Sequence, residues 1–204
     1  MLRALTDPDG FFAERRDDPA FLAPMLVVLA AGVVGVVGSI PVLRATLSAL
    51  PPEASGLASV FVVVGAVGGL VGPLVVWVVA AGVFHVLSIP FDGEGPFSRT
   101  LKIVGWGFVP SIVAGVVTAV VNYRVYSAVQ FPDDPQQIQQ FVESIQSRPE
   151  LLVAGAVGVL LTVYQGFIWV YAVRHARRVD LRSATVVVGV PTALLVVWQL
   201  YNLL

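Results

Sequence analysis

Cysteine is missing altogether, histidine occurs twice and lysine once in a chain of 204 residues. The first absence excludes disulfides, thiolate metal centres and cysteine nucleophiles. With only His85 and His175, there is too little imidazole to build a histidine metal cluster. Charge is scarce as well: 12% of residues are charged, about half of the roughly 25% typical of soluble domains. A net charge of -1 with no basic stripe gives nucleic acid nothing to bind. No nucleophile elbow, zincin helix or paired-carboxylate motif occurs, so the sequence points away from an enzyme and implies no cofactor. Acids are absent from the interior of every long apolar run. A proton- or ion-coupled transporter normally needs one there.

What is present is apolar sequence, 57% of the chain, with a mean hydropathy of +0.86. About 20 residues at 1.5 Å each cross roughly 30 Å of hydrocarbon. Runs at about 21–43, 57–87, 101–121, 151–173 and 184–204 meet that length. They predict an all-α, polytopic membrane protein with five spans over 21–204, short interfacial helices, and a polar segment over 1–20. In that segment Asp7-Pro8 predicts an N-cap and first-turn proline, opening a short amphipathic helix that carries Phe11 and Phe12. Arg44 to Gly56 reads as a loop. The second run, Leu57 to Leu87, is ambiguous, because Gly72-Pro73 in its middle allows either one kinked helix or two half-spans.

Lysine and arginine gather on the cytoplasmic side of membrane proteins. One span over 57–87 places nine of these residues inside and three outside, whereas two half-spans give five and seven. The count therefore predicts one kinked helix, a cytoplasmic amino terminus and an external carboxyl terminus in the cell membrane. A secretory signal is the competing reading of the first run, which is too long and has an acidic flank. In the loop 122–148, Asp134-Pro135 predicts a further capped helix. Its Ile138, Phe141, Val142 and Ile145 form an apolar face, to lie on the outer surface or pack on helix ends.

Several residues are candidates for function. The turn Pro90 to Pro96 feeds an apolar helix, with Phe97-Ser98-Arg99-Thr100 at the junction and Ser98 or Thr100 as its expected cap. Phe91, Asp92, Gly93, Glu94, Gly95, Phe97 and Arg99 are the candidate contact for a membrane or cytoplasmic protein partner. Arg174, Arg177, Arg178 and Arg182 are a candidate anionic-lipid and topology cluster, each worth about 1 kcal/mol beside headgroups. Gly65, Gly68, Gly69 and Gly72 form small-xxx-small pairs for helix packing, within the chain or in a homo-oligomer. His85 is expected to bond terminal carbonyls of its own helix near the headgroups. Gln165, Thr162, Asn122, Thr118 and Gln199 are expected to form interhelical hydrogen bonds.

The stretch Phe91-Asp92-Gly93-Glu94-Gly95-Pro96-Phe97-Ser98-Arg99-Thr100-Leu101, followed by Gly105-Trp106-Gly107 and Val109-Pro110, resembles the Yip-one domain family, the Ypt/Rab-interacting five-span membrane proteins. Asp7-Pro8 with Phe11-Phe12 looks like the amino-terminal part of prokaryotic members, and the arginine-rich usage is similar to archaeal ones. Eukaryotic members are linked to Rab GTPases and vesicle traffic and carry a longer cytoplasmic amino-terminal region; residues 1–20 alone precede the first run here, so Rab binding is not carried over. The resemblance implies the five-span architecture far more than an activity; the chain is expected to be a non-enzymatic adaptor or membrane-organising protein whose partners are the bilayer and a protein. The alternative is a small-solute or lipid transporter or channel subunit. A polar cavity at mid-membrane depth would mark that alternative, and the sequence offers little to line one.

Overall fold

Backbone inside hydrocarbon has no water to bond, so a spanning segment must satisfy its own N–H and C=O groups as a helix. The computed structural model describes residues 2–48, 55–132 and 135–203. Two short helices, α1 (Leu2–Thr6) and α2 (Pro8–Ala13), precede α3 (Leu22–Ser48) and α4 (Ser55–Leu87). Next come α5 (Phe97–Val104), a 3-10 turn over Gly105–Phe108, and α6 (Val109–Tyr126), which together make one helical run. After them stand α7 (Pro135–Gln146), α8 (Pro149–Arg177) and α9 (Leu181–Leu203). Among the described residues there is no strand, and five helical runs are long and apolar enough to cross a membrane.

Gly72-Pro73 does not divide the second run: α4 is unbroken from Ser55 to Leu87, as the charge count requires. A proline removes one hydrogen bond from a helix, and α3 and α9 likewise run through Pro41 and Pro191. Helices outlast the apolar runs that nucleate them. The first continues through Arg44 to Ser48, where a loop was expected. The fourth ends at Arg177 and the fifth begins at Leu181. Asp180 starts α9, its carboxylate accepting from the Ser183 N–H at 2.9 Å. The Ser183 hydroxyl first, and then this N–H bond, hold its carboxyl below the usual range.

α8 is the central element, packing on α6, α9, α5 and α2, while α3 packs on α6 and α4. Glycine sets the closeness of the second group. A Cβ on Gly32 would meet the Gly69 carbonyl at 3.0 Å, and one on Gly38 would meet Ala119 at 3.1 Å. Of the four glycines in the α4 pairs, Gly69 packs on Val36 of α3, whereas a Cβ on Gly65, Gly68 or Gly72 would meet nothing. The core lies at the end of the bundle shared by α2, the 88–96 turn and the α8–α9 junction. Phe12, Val28, Ile103, Val104, Ile168, Val173, Val187 and Val188 are all shut from solvent there.

On α7 the predicted face is observed: Ile145 is buried and Ile138, Phe141 and Val142 half-buried, while Gln139, Gln140 and Glu143 are exposed. Phe141 lies edge-on to Phe131, 5.3 Å away. Its expected cap, Asp134, lies outside the described residues.

Candidate functional site

The turn between α4 and α5 is built from backbone that closes on itself. Ser88 O accepts from Phe91 at 3.1 Å and Gly93 at 3.0 Å, and Asp92 adopts left-handed φ of 57°. Gly95 has φ of +97°, and a Cβ there would also meet the Arg99 guanidinium at 2.8 Å. Only glycine accepts such backbone without strain. The helix that follows is not capped by Ser98 or Thr100. Pro96 is the N-cap residue without a side-chain bond, and both hydroxyls lie inside the first turns. Thr100 is buried and its Oγ1 stands 3.2 Å from His85 Nδ1. His85 thus finds its partner on α5 rather than among its own terminal carbonyls. Its ring also lies edge-on to Phe97 at 5.6 Å.

Arg177, the last residue of α8, clasps this turn. It is 3% exposed. Its Nε donates to Ser88 Oγ at 2.7 Å, and its two terminal nitrogens donate to the Gly93 and Gly95 carbonyls. Its own carbonyl accepts from the Glu94 N–H at 2.7 Å. A planar guanidinium presents donors in a fixed fork, and three acceptors arranged around it fix the shape of the turn. The turn and the arginine cluster, distant in sequence, are therefore one unit. Arg178 takes φ of 56° to cap α8 and reaches Asp17 at 3.2 Å and Glu94 at 4.0 Å. Arg182 is exposed on the first turn of α9. Of the four arginines, Arg177 belongs to the scaffold; Arg174 and Arg178 are ion-paired near the surface.

The amino-terminal segment seats beside this clasp. Phe11 and Phe12 are buried, with Phe11 edge-on to Trp106 at 5.0 Å. Tyr164 of α8 donates to the Leu5 carbonyl. Asp9 accepts from Arg174 at 2.9 Å and stands 2.6 Å from His175 Nε2. The His175 hydrogen bond, then the Arg174 charge, hold the Asp9 carboxyl below its usual range against the opposing effect of partial burial. A carboxyl depressed in the folded state stabilises at neutral pH and through its ordinary range, and loses that contribution as pH falls through the depressed value. Asp9 is 48% exposed, so its effect is about 1 kcal/mol or less after screening. Asp9→Asn is expected to speed tryptic cleavage at Arg15-Arg16 several-fold at neutral pH. Hydrogen exchange of α2 should rise in wild type only below about pH 4. An unchanged cleavage rate would show that the aromatics alone hold the segment.

Exposed on the turn are Ile89 at 58%, Phe91 at 38% and Phe97 at 38%, beside the acids Asp92 and Glu94. Sequence reasoning missed the clasp, because nothing marks Arg177 apart from its three arginine neighbours. A second unforeseen feature lies in the other half of the bundle. Ser111 of α6 donates to Gln165 Oε1 at 2.8 Å, and Asn122 donates to the Gly38 carbonyl at 2.9 Å. These are the interhelical bonds that polar residues in spans predict. Thr162 instead bonds the Gly158 carbonyl of its own helix at 3.0 Å. Gln199 Oε1 is buried without a partner among the described residues. Ser111, Thr162, Gln165, Gln199 and Asn202 line a cleft of about 350 Å³ between α6, α8 and α9. The spacing of Gln199 and Asn202 at i and i+3 was the available signal for it.

The Yip1 domain family model matches residues 2–201. The chain belongs to the Yip1 domain family. The uncharacterized protein MJ0794 of Methanocaldococcus jannaschii is 28% identical over 124 residues, covering 60% of this chain and 88% of that one. No solved structure matches the chain. This Yip1 domain is an all-α, multi-pass membrane protein. Its match takes in the seated amino-terminal segment, the clasped turn and all five candidate spans.

Proposed function

We propose that this Yip1 domain protein is a non-enzymatic adaptor that organises a protein partner at the cytoplasmic face of the cell membrane. The observation that carries the reading is the clasp: Arg177 fixes the 88–95 turn while leaving Phe91 and Phe97 turned outward. A turn needed only to join two spans requires no buried guanidinium to hold its shape. A preorganised turn loses less entropy when a partner docks on it. The distribution of arginine and lysine supports a cytoplasmic location for this end, with the carboxyl terminus outside.

Phe91→Ala combined with Phe97→Ala is expected to spare expression and cost the fold about 1 kcal/mol or less, since both rings are half exposed. Crosslinked partners recovered from native membranes should be lost. Retention of every partner by this variant would remove the adaptor reading.

The cleft favours one further reading, a lipid or small-solute transporter or channel subunit. It stops at Gln165, however. Beyond that level Ile168, Ala172 and Val173 are wholly buried among Ile103, Val104, Val187 and Val188. A pathway across the bilayer would have to open that packed half. The cleft supports binding from one side more readily than passage through.

A further inference from the structure

We propose that the cleft between α6, α8 and α9 binds one membrane amphiphile through an uncharged, hydroxyl-bearing headgroup. This goes beyond the adaptor reading and does not depend on it.

The shape comes first. α6 and α9 each pack on α8 and scarcely on one another, so α8 is the floor and the other two helices are the walls. The cleft runs from Gly155 to Gln165 of α8, ten residues or about 15 Å. It therefore extends from the α7 end of the bundle to about mid-span and gapes sideways between α6 and α9. At about 350 Å³ it lies near the lower bound of small-molecule sites, roughly 300–1,000 Å³. A ligand held there keeps one flank against the surrounding hydrocarbon, which suits an amphiphile whose chain leaves through the open side. Leu161, Val159 and Ala114 supply apolar wall beside the polar groups.

The hydrogen-bond inventory selects the headgroup. No charged side chain lines the cleft, so a phosphate or ammonium would enter without a counter-charge. The hydroxyl protons of Ser111 and Thr162 go to Gln165 Oε1 and the Gly158 carbonyl, and Asn202 Nδ2 donates to the Trp198 carbonyl. Their remaining oxygen lone pairs are acceptors. Gln199 Oε1 is a buried acceptor with no donor among the described residues, a state that costs about 1–3 kcal/mol unless a ligand or solvent donor meets it. Gln165, 8% exposed, sits at the deep end. The side-chain amide N–H groups of Gln165, Gln199 and Asn202 add donors to these acceptors, and hydroxyls, which both donate and accept, meet such a mixed set without charge. Trp198, 63% exposed at the mouth, offers an apolar ring face of the kind that stacks on a sugar.

The test uses the full chain in a detergent without a sugar head, such as lauryldimethylamine oxide, observed by native mass spectrometry. It is titrated with monoglucosyl diacylglycerol, with phosphatidylglycerol of the same acyl chains, and with methyl glucoside alone. Wild type is expected to retain one monoglucosyl diacylglycerol at least tenfold more tightly than phosphatidylglycerol, and to ignore methyl glucoside. Gln199→Leu removes an acceptor that bonds nothing in the fold, so it should weaken retention about tenfold without lowering thermal stability. If that variant misfolds, Trp198→Ala at the exposed mouth gives the same comparison. Equal retention of both lipids overturns the proposal, as does tight binding of methyl glucoside alone. A dimer that depends on Gln199 would also overturn it, by assigning the acceptor to a second copy of the chain.

Discussion

Arg177→Leu is expected to destabilise the fold by about 3–5 kcal/mol, the largest effect of any single substitution outside the apolar core. Three acceptors lose their donor at once: Ser88 Oγ and the carbonyls of Gly93 and Gly95. Leucine fills part of the space and satisfies none of them. Ser88 keeps its bond to the His85 carbonyl at 2.7 Å, so the end of α4 should hold while the turn beyond it loosens. The two readouts are therefore different in kind. Thermal unfolding in detergent reports the global cost, and cleavage after Glu94 by a glutamate-specific protease reports the turn. Arg177→Lys separates charge from geometry. An ammonium cannot reproduce a planar fork, so lysine is expected to recover less than half of the loss. Unchanged melting and cleavage in Arg177→Leu would mean that the turn holds itself through the 88–93 backbone bonds alone.

The second large effect belongs to Gly107. A Cβ at that position would fall inside the indole of Trp169. The ring cannot yield easily, because it lies between Phe84 at 5.3 Å and Phe108 at 5.7 Å and donates to the Val104 carbonyl at 2.9 Å. Gly107→Ala should cost about 2–4 kcal/mol, the sum of overpacking and a displaced hydrogen bond. Gly105→Ala meets Pro24 at 2.8 Å and the Trp77 indole at 2.9 Å, a comparable obstruction on the opposite side. A double-mutant cycle assigns the cause. In a Trp169→Leu background Gly107→Ala should cost at least 1 kcal/mol less than in wild type. Equal costs in the two backgrounds would exclude the indole as the reason glycine is needed.

These two sites show what periodicity and composition can reveal. Apolar runs report spans because length and burial in hydrocarbon follow from composition alone, so five spans were legible, whereas the unbroken α4 was legible only from the placement of arginine and lysine around it. The α7 face was legible for the same reason, since i, i+3, i+4 spacing is local. Gly105-Trp106-Gly107 with Pro110 was visible as an unusual string, but its cause was not. The cause is two indoles arriving from α4 and α8, Trp77 donating to the Leu101 carbonyl at 2.7 Å and Trp169 to that of Val104. The proline adds its part: it has no N–H for the Trp106 carbonyl, which accepts from Val109 instead and tightens the segment to a 3-10 turn. His85 was misread for a similar reason, its partner Thr100 lying across a turn whose path no local pattern specifies. Likewise four arginines within nine residues look alike until the fold buries one of them. The cleft was underestimated because its polar residues are spread over three helices, one or two on each.

The seating of the amino-terminal segment has a consequence for biogenesis. Asp9 and its partner Arg174 are 165 residues apart. At synthesis rates of about 5–20 residues per second, roughly 8–33 s pass between the two leaving the ribosome. During that interval Phe11 and Phe12 have no α8 to cover them. Two phenylalanines held on a charged tether at the membrane surface are a target for a chaperone or for the insertion machinery itself. Their docking is then a late step of assembly, available only once the fourth span is in place. Uncovered Phe11 and Phe12, which are buried in the finished fold, would mark chains that stalled before it and give the cell's proteases a way to distinguish finished copies from unfinished ones.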